Sequence, residues 1–280
     1  MVRITRLSAP ILCVLILGFT ALTARAAAGA DPVKRKATAA KVVRTSAKKS
    51  PAKKIVAKKS STKKFVSKKS TSAPVALTAS TFALKMMAVY DSLHLEDLGL
   101  SSKVFTLAMN GMEKLRKQGK LTNENIVSIV DFSQPSVNKR LYVLDLENFQ
   151  ILFNTFVAHG MRSGKESALS FSNKMSSHKS SLGFYVTDSP YMGSNGYSLR
   201  LQGVERGFND NALKRVIVMH GADYVNNEFI NTQGYIGRSY GCPAVAPELS
   251  QPIIDSIKDG TCLFIFHPSK TYLSGSKMIR

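Results

Sequence analysis

Two stretches, Val216-Ile-Val-Met-His220-Gly221 and Gly237-Arg-Ser-Tyr-Gly-Cys242-Pro-Ala244, decide how this chain is read. The first is an apolar, β-branched run of strand character that stops on a histidine, and a side chain at a strand end is held rigidly. The second places Gly, Ser, Gly and Pro within eight residues and reads as a turn. A thiol is a good nucleophile only as the thiolate, so a reactive cysteine needs a neighbouring base or cation, and His220 can supply an imidazole to Cys242. Gly241 lets the backbone approach a bound carbonyl closely. The Cys242 N–H is then a donor for an oxyanion, whereas Pro243 has none. These residues alone leave a plainer reading open, with His220 a hydrogen-bonded histidine and Cys242 a structural or disulfide cysteine.

Working outward, Pro247 stands at the first position of a helix whose apolar face is Ile253, Ile254 and Ile257 and which Gly260 stops. Residues 261–266, Thr-Cys-Leu-Phe-Ile-Phe, follow as a buried strand in which Cys262 serves as a small hydrophobe. Upstream, the alternation predicts strands over 126–132, 140–146, 149–157, 184–187, 197–202 and 216–219. Residues 145–148 make a tight connection, and Pro190, Gly193 and Asn195-Gly196 mark a turn. Residues 159–182 are polar, rich in Ser, Lys and Gly. Two helices come first, over 80–95 and 102–118, with Ser101 or Ser102 as N-cap and Gly119 as the stop. The expected fold is mainly β with peripheral helices (α+β): a helical N-terminal segment over 79–120 and a catalytic domain over 121–280.

Other motif matches are weaker. Gly160-Met-Arg-Ser-Gly164-Lys165 is one residue short of a phosphate loop, and Glu166 stands where magnesium chemistry needs Ser or Thr. Ser176-Ser-His-Lys179 fits S-x-x-K but has no K-T-G partner. Gly237-Arg-Ser239-Tyr-Gly241 is a literal G-x-S-x-G, with Asp255 or Asp259 and His267 in the order of a serine hydrolase triad. The residues before it make a poor strand for a nucleophile elbow. The five histidines show no metal-ligand spacing, so no metal or other cofactor is implied.

Charge divides the chain of 280 residues sharply. Lys and Arg number 39 against 18 Asp and Glu, a net of +21, but residues 27–73 alone hold +14, residues 1–26 hold +3 and the remaining 207 only +4. The first 26 residues have the layout of a secretory signal peptide: Arg3 and Arg6, an apolar run over 11–22, and Ala24-Arg25-Ala26 before Ala27. An uncleaved anchor is the alternative. Residues 27–78 read as a disordered linker, with Lys pairs recurring every five residues from 48–49 to 68–69 and too little apolar content to order them. Its relaxed reach is about 40 Å. The partners it suits are anionic envelope polymers or a membrane surface, and behind a signal peptide nucleic acid is not expected. The mature protein is then exported, periplasmic or associated with the cell wall.

Taken in order, His220-Gly221-Ala222-Asp223, Gly237-Arg-Ser-Tyr-Gly-Cys-Pro-Ala244, the helix, and Asp259-Gly-Thr-Cys-Leu-Phe-Ile265 resemble the catalytic core of murein L,D-transpeptidases. Ser180-Ser-Leu-Gly183-Phe-Tyr185 resembles the strand that precedes that core. The resemblance implies an L,D-transpeptidase-like β-sandwich catalytic domain that acts on peptidoglycan stem peptides without a cofactor. Cys242 would attack the carbonyl at the L-centre of diaminopimelate and release the terminal D-alanine, and an amine acceptor would resolve the thioester. The family pattern maps the nucleophile to Cys242, the base to His220 and a helper to Ser239. Gly221, Tyr240 and Gly241 then fall at the substrate. The commoner pattern has Arg two residues after the cysteine, and here that residue is Ala244, so Arg238 is the expected carboxylate contact. The mechanism requires Cys242 and Cys262 to be free thiols. Water as acceptor would make an L,D-carboxypeptidase. A serine hydrolase using Ser239 and a non-catalytic wall-binding module are the other classes.

Overall fold

The structure, a computed structural model, describes residues 81–280. The signal segment and the lysine repeat lie outside the described residues. Two helices lead, α1 (Thr81–Ser92) and α2 (Ser102–Lys117), and Ser101 caps α2 through the Val104 N–H as its sequence position suggests. The α2 face carrying Val104, Phe105, Ala108, Met112 and Leu115 is buried in the same core as the strands. Gly111 is required there: a Cβ at that position would fall 2.0 Å from the Phe184 ring. The N-terminal helices therefore share one core with the rest of the described chain.

Eight strands make one sheet, in the order β3-β2-β1-β8-β4-β5-β6-β7. They are β1 (Ile126–Asp131), β2 (Leu141–Asp145), β3 (Gln150–Thr155), β4 (Gly183–Gly193), β5 (Gly196–Gly203), β6 (Val218–Gly221), β7 (Ala244–Val245) and β8 (Cys262–Phe266). Neighbours are antiparallel except at β1/β8 and β6/β7. Burial on both faces explains why β8 reads as an unbroken apolar run and β1 as one interrupted within the strand only by Ser128 before its terminal Asp131. The Phe184 and Phe264 rings stack at 4.1 Å across the β4/β8 pair. The result is mainly β with helices at the periphery.

Three short elements escaped the sequence pattern: α3 (Asn227–Gln233), β7 and, after α4 (Pro247–Ile257), the terminal α5 (Lys270–Gly275). Two residues of β7 are too few for a period, and α3 has no buried face to reveal it. Pro190 does not mark a turn. It lies inside β4, where the pairing with β5 shifts register between Thr187 and Pro190, and the bulge accommodates the missing N–H. The strand expected from Val216 starts at Val218. Val216 sits at φ +55, and the Ile217 N–H is taken by Ala212 O at 2.9 Å, which closes a preceding turn.

The C-terminus is tied in by a buried carboxylate. Glu205 accepts from the Phe184 N–H and the Tyr272 hydroxyl, each at 2.8 Å, and from the Ser276 hydroxyl. Burial pushes its pKa above the ordinary carboxylate value.

Candidate active site

A parallel pair cannot be joined by a hairpin, so the chain from β6 to β7 must cross over. It does so through α3, which Asn226 caps at its start and Gly234, at φ +83, ends. The return brings residues 237–243 beside the end of β6. The register sets His220 opposite Ala244. Two residues before Ala244, the Cys242 sulfur accepts from the Val218 N–H at 3.5 Å and donates to Val216 O at 3.7 Å. Cys242, on the loop before β7, and His220, in β6, thus line one cleft of about 920 Å³, with Arg238, Ser239, Tyr240, Gly221, Asp223 and Tyr224 also in its wall.

The turn is built by its own side chain. Ser239 Oγ donates to Cys242 O at 2.6 Å and accepts from the Gly241 N–H at 3.0 Å. Gly241 sits at φ +124, and a Cβ there would lie 2.8 Å from Lys179 O, so glycine is the residue that fits. The polar segment 159–182 forms the bed beneath. Ser239 N–H donates to His159 O at 3.0 Å, Met161 N–H to Ser239 O at 2.7 Å, and Ser180 Oγ to Gly241 O at 3.2 Å. Below that bed the fully buried Arg140 donates to Val157 O and to His159 Nδ1 at 2.8 Å. Burial and the Arg140 charge hold His159 down at about pKa 3, so its Nε2 carries the proton toward Gly164 O.

His220 donates from Nδ1 to Gly221 O at 2.8 Å, which leaves Nε2 as the acceptor. Burial keeps the imidazole below its ordinary value, hence neutral at pH 7. Burial also pushes the Cys242 thiol up, against a pull downward from the Val218 N–H and the Arg215 charge. Cys242 therefore rests as a neutral thiol and His220 as a neutral imidazole. Cys242 and Cys262 are both free, and Cys262 is fully buried in β8.

Residues 96–266 match the L,D-transpeptidase catalytic domain family. The chain belongs to that family. Among solved structures it is similar to an L,D-transpeptidase from Mycobacterium smegmatis, at 12% identity over 51% of this chain and 59% of that one, with a TM-score of 0.32. An L,D-transpeptidase from Stackebrandtia nassauensis has 13% identity over 66% and 77%, TM-score 0.32. The helical cell shape determining protein Pgp2 from Campylobacter jejuni has 12% identity over 61% and 58%, TM-score 0.35. The chain spans 59% of the length of the first of these. No curated protein matches it.

Within this L,D-transpeptidase domain, Ala244 is fully buried with Ala158, Val225 and Ile236, so a guanidinium has no room there. Arg238 reaches from the other side. Its Nη1 donates to Gly164 O at 3.1 Å and its guanidinium lies 5.3 Å over the Tyr235 ring, which leaves further N–H groups unengaged. Tyr240 is 71% exposed and packs on the His178 ring at 4.6 Å, at the cleft mouth. The serine hydrolase triad is not assembled. Ser239 Oγ is committed within its own turn, Asp255 accepts from Tyr197 and Lys258, and His267 packs against Phe171 at 4.9 Å. Sequence reasoning missed Arg215, which lies under Gly241, and Tyr224, which packs against Gly237 and whose hydroxyl burial pushes up to about 12. Among the described residues no helix is long and apolar enough to cross a membrane, and no group of His, Cys, Asp and Glu is placed to hold a metal.

Proposed function

We propose that the chain is a peptidoglycan L,D-transpeptidase that works by cysteine acyl transfer. The observation that carries the proposal is that Cys242 and a His220 whose Nδ1 is tied to Gly221 O line one cleft. His220 Nε2 takes the thiol proton as sulfur attacks the carbonyl at the L-centre of diaminopimelate, and gives it to the departing D-alanine amine. The Cys242 N–H is the donor for the oxyanion. An amine acceptor then loses a proton to His220, attacks the thioester carbonyl and frees the thiol. Arg238 holds a carboxylate of the stem peptide with its unengaged N–H groups. Gly221 keeps the cleft floor clear, Gly241 lets the turn lie close on Lys179 O, and Tyr240 packs on the peptide at the mouth. Ser239 keeps the turn in shape.

The protein works outside the cytoplasm, and the lysine-rich residues 27–78 keep it near anionic envelope polymers. Deleting residues 46–70 leaves activity on soluble muropeptides intact and weakens retention on sacculi in a salt-dependent way.

Intact mass after exposure to a carbapenem tests the chemistry. One adduct on the wild type, absent from Cys242→Ala and strongly slowed in His220→Ala, is expected. An adduct that persists in Cys242→Ala refutes the proposal. Incubating a tetrapeptide donor with and without an amine acceptor then separates transfer from hydrolysis. Free tripeptide as the sole product in both makes the enzyme an L,D-carboxypeptidase.

A further inference from the structure

Arg215 is a half-buried guanidinium without a carboxylate partner among the described residues. Its Nη1 donates to Ser172 O at 2.8 Å and to the Ser181 hydroxyl, and its Nη2 donates to Lys179 O at 2.6 Å and to the Ser177 hydroxyl at 3.2 Å. All four acceptors are neutral, so the hydrogen bonds fix the fork in place without cancelling its charge. Taking a charge out of water without a counter-ion is costly, so the arrangement calls for something the charge does. The charge sits under the nucleophile turn: Arg215 Nη2 lies 3.3 Å from where a Gly241 Cβ would stand. The next residue, Val216, is a β-branched residue at φ +55, an unfavourable conformation. That turn presents the Val216 carbonyl to the Cys242 thiol while Arg215 is buried beneath the same loop.

We propose that Arg215 is a positioning residue that places a fixed positive charge beside the Cys242 sulfur and so favours the thiolate at the moment of attack. The inference rests on the reading of Cys242 as the nucleophile and extends it by supplying the cation that the buried Ala244 cannot. The groups facing Cys242 identify Arg215 as that source. His220 on β6 is neutral at pH 7, and Tyr224 after β6 stays protonated. Asp223 in the cleft wall is acidic and works in the opposite direction. Arg238, on the nucleophile loop, is drawn toward Gly164 O, and Lys179 Nζ is turned to Ser170 Oγ at 2.7 Å. His178 packs on Tyr240 at the mouth, and Tyr185 of β4, with Glu205 behind it, faces Arg215 from below. The Arg215 charge lowers the thiol value that burial raises.

The test uses the full chain and needs no stem peptide. Alkylation by iodoacetamide is followed on the Cys242-containing peptide by mass spectrometry across pH, for wild type and for Arg215→Gln, Arg215→Met and Arg215→Lys. In both neutral variants the midpoint rises by about one pH unit, which slows alkylation about tenfold at a fixed pH below the midpoint. The Lys variant, charged but shorter, falls between them and the wild type. An unchanged midpoint in a folded neutral variant, or a rate lowered by the same factor at every pH, shows a merely structural role and overturns the proposal. If neither neutral variant folds, Ser177→Asp decides by setting a carboxylate against Arg215 Nη2: a raised midpoint supports the charge and an unchanged one refutes it. A chain whose alkylation depends on Arg215 but which transfers no acyl group sinks the transpeptidase reading and leaves this one standing.

Discussion

Ser239→Ala separates a turn-forming serine from a nucleophilic one. The hydroxyl bridges the Gly241 N–H at 3.0 Å and Cys242 O at 2.6 Å, inside a segment where Ser239 and Gly241 are buried. Removing it leaves the buried Gly241 amide without that acceptor, a cost of about 1–3 kcal/mol, and forfeits a donation worth about 1 kcal/mol. The sum, about 2–4 kcal/mol, lowers the melting temperature by roughly 5–12 °C for a folded body of this size. The sulfur remains but its backbone loosens, and a displacement of about 1 Å slows a positioned reaction about 10²-fold. Thermal unfolding and the rate of carbapenem acylation at Cys242 measure the two effects separately. Ser239→Ala is therefore expected to be less stable, slow and still acylated, while Cys242→Ala is stable and not acylated at all. Two results refute this reasoning: labelling of Ser239 by a fluorophosphonate, or complete loss of Cys242 acylation in a Ser239→Ala protein that melts at the wild-type temperature.

Gly241→Ala places a Cβ 2.8 Å from Lys179 O at a backbone angle of φ +124, so strain and overlap together cost about 2–5 kcal/mol in urea unfolding. A loss below about 1 kcal/mol shows that the loop shifts freely. Because burial holds His220 below its ordinary value, and only the neutral ring accepts a proton, kcat/KM falls with acid at a midpoint below about 6.5. A midpoint at or above that value contradicts the role of His220 as a buried base. Glu205 has a raised folded pKa, so its folded form binds protons more tightly than its unfolded form. Its contribution is fully present below the unfolded carboxylate value and is lost as pH rises through the folded one. Urea titrations from pH 4 upward are expected to show the wild type losing ground to Glu205→Gln across that window, and a constant difference refutes the linkage.

Legibility in the sequence followed the physics of each element. The long, apolar elements were readable because burial imposes a period: α2 with its Ser101 cap, β1, β2, α4 behind Pro247, and β8. Val216 and Pro190 were misplaced because tertiary hydrogen bonding outweighs local pattern there. A valine looks like a strand residue until the Ile217 N–H is found closing the turn behind it, and a proline looks like a turn until a bulge relieves it of donating. His220, Ser239, Gly241 and Cys242 were singled out by resemblance to a known core rather than by spacing alone, and the β6-to-β7 crossover brings the loop that carries the last three beside the end of β6. The spacing alone does not divide their roles. A literal G-x-S-x-G gives no sign that the serine faces inward to brace the turn and the cysteine outward to the cleft.

Arg215 marks the limit of reading by spacing. It sits one residue before the misread Val216, in a stretch with no motif, and its acceptors come from residues 172–181, a segment whose sequence shows only polarity. The crossover explains why such a residue is needed. A parallel β6/β7 pair presents Cys242 on a loop where its sulfur meets strand backbone, and Ala244, sealed into a small core, keeps cations off the strand itself. A sulfur buried in that setting is held as a thiol. To act near neutral pH it needs positive charge that is close, fixed and unneutralised. A guanidinium pinned by two carbonyls and two hydroxyls beneath Gly241 has both a charge and a fixed position. The two charges are separable by experiment: neutralising the lysines of residues 27–78 is expected to leave the Cys242 alkylation profile unchanged, and neutralising Arg215 to move it.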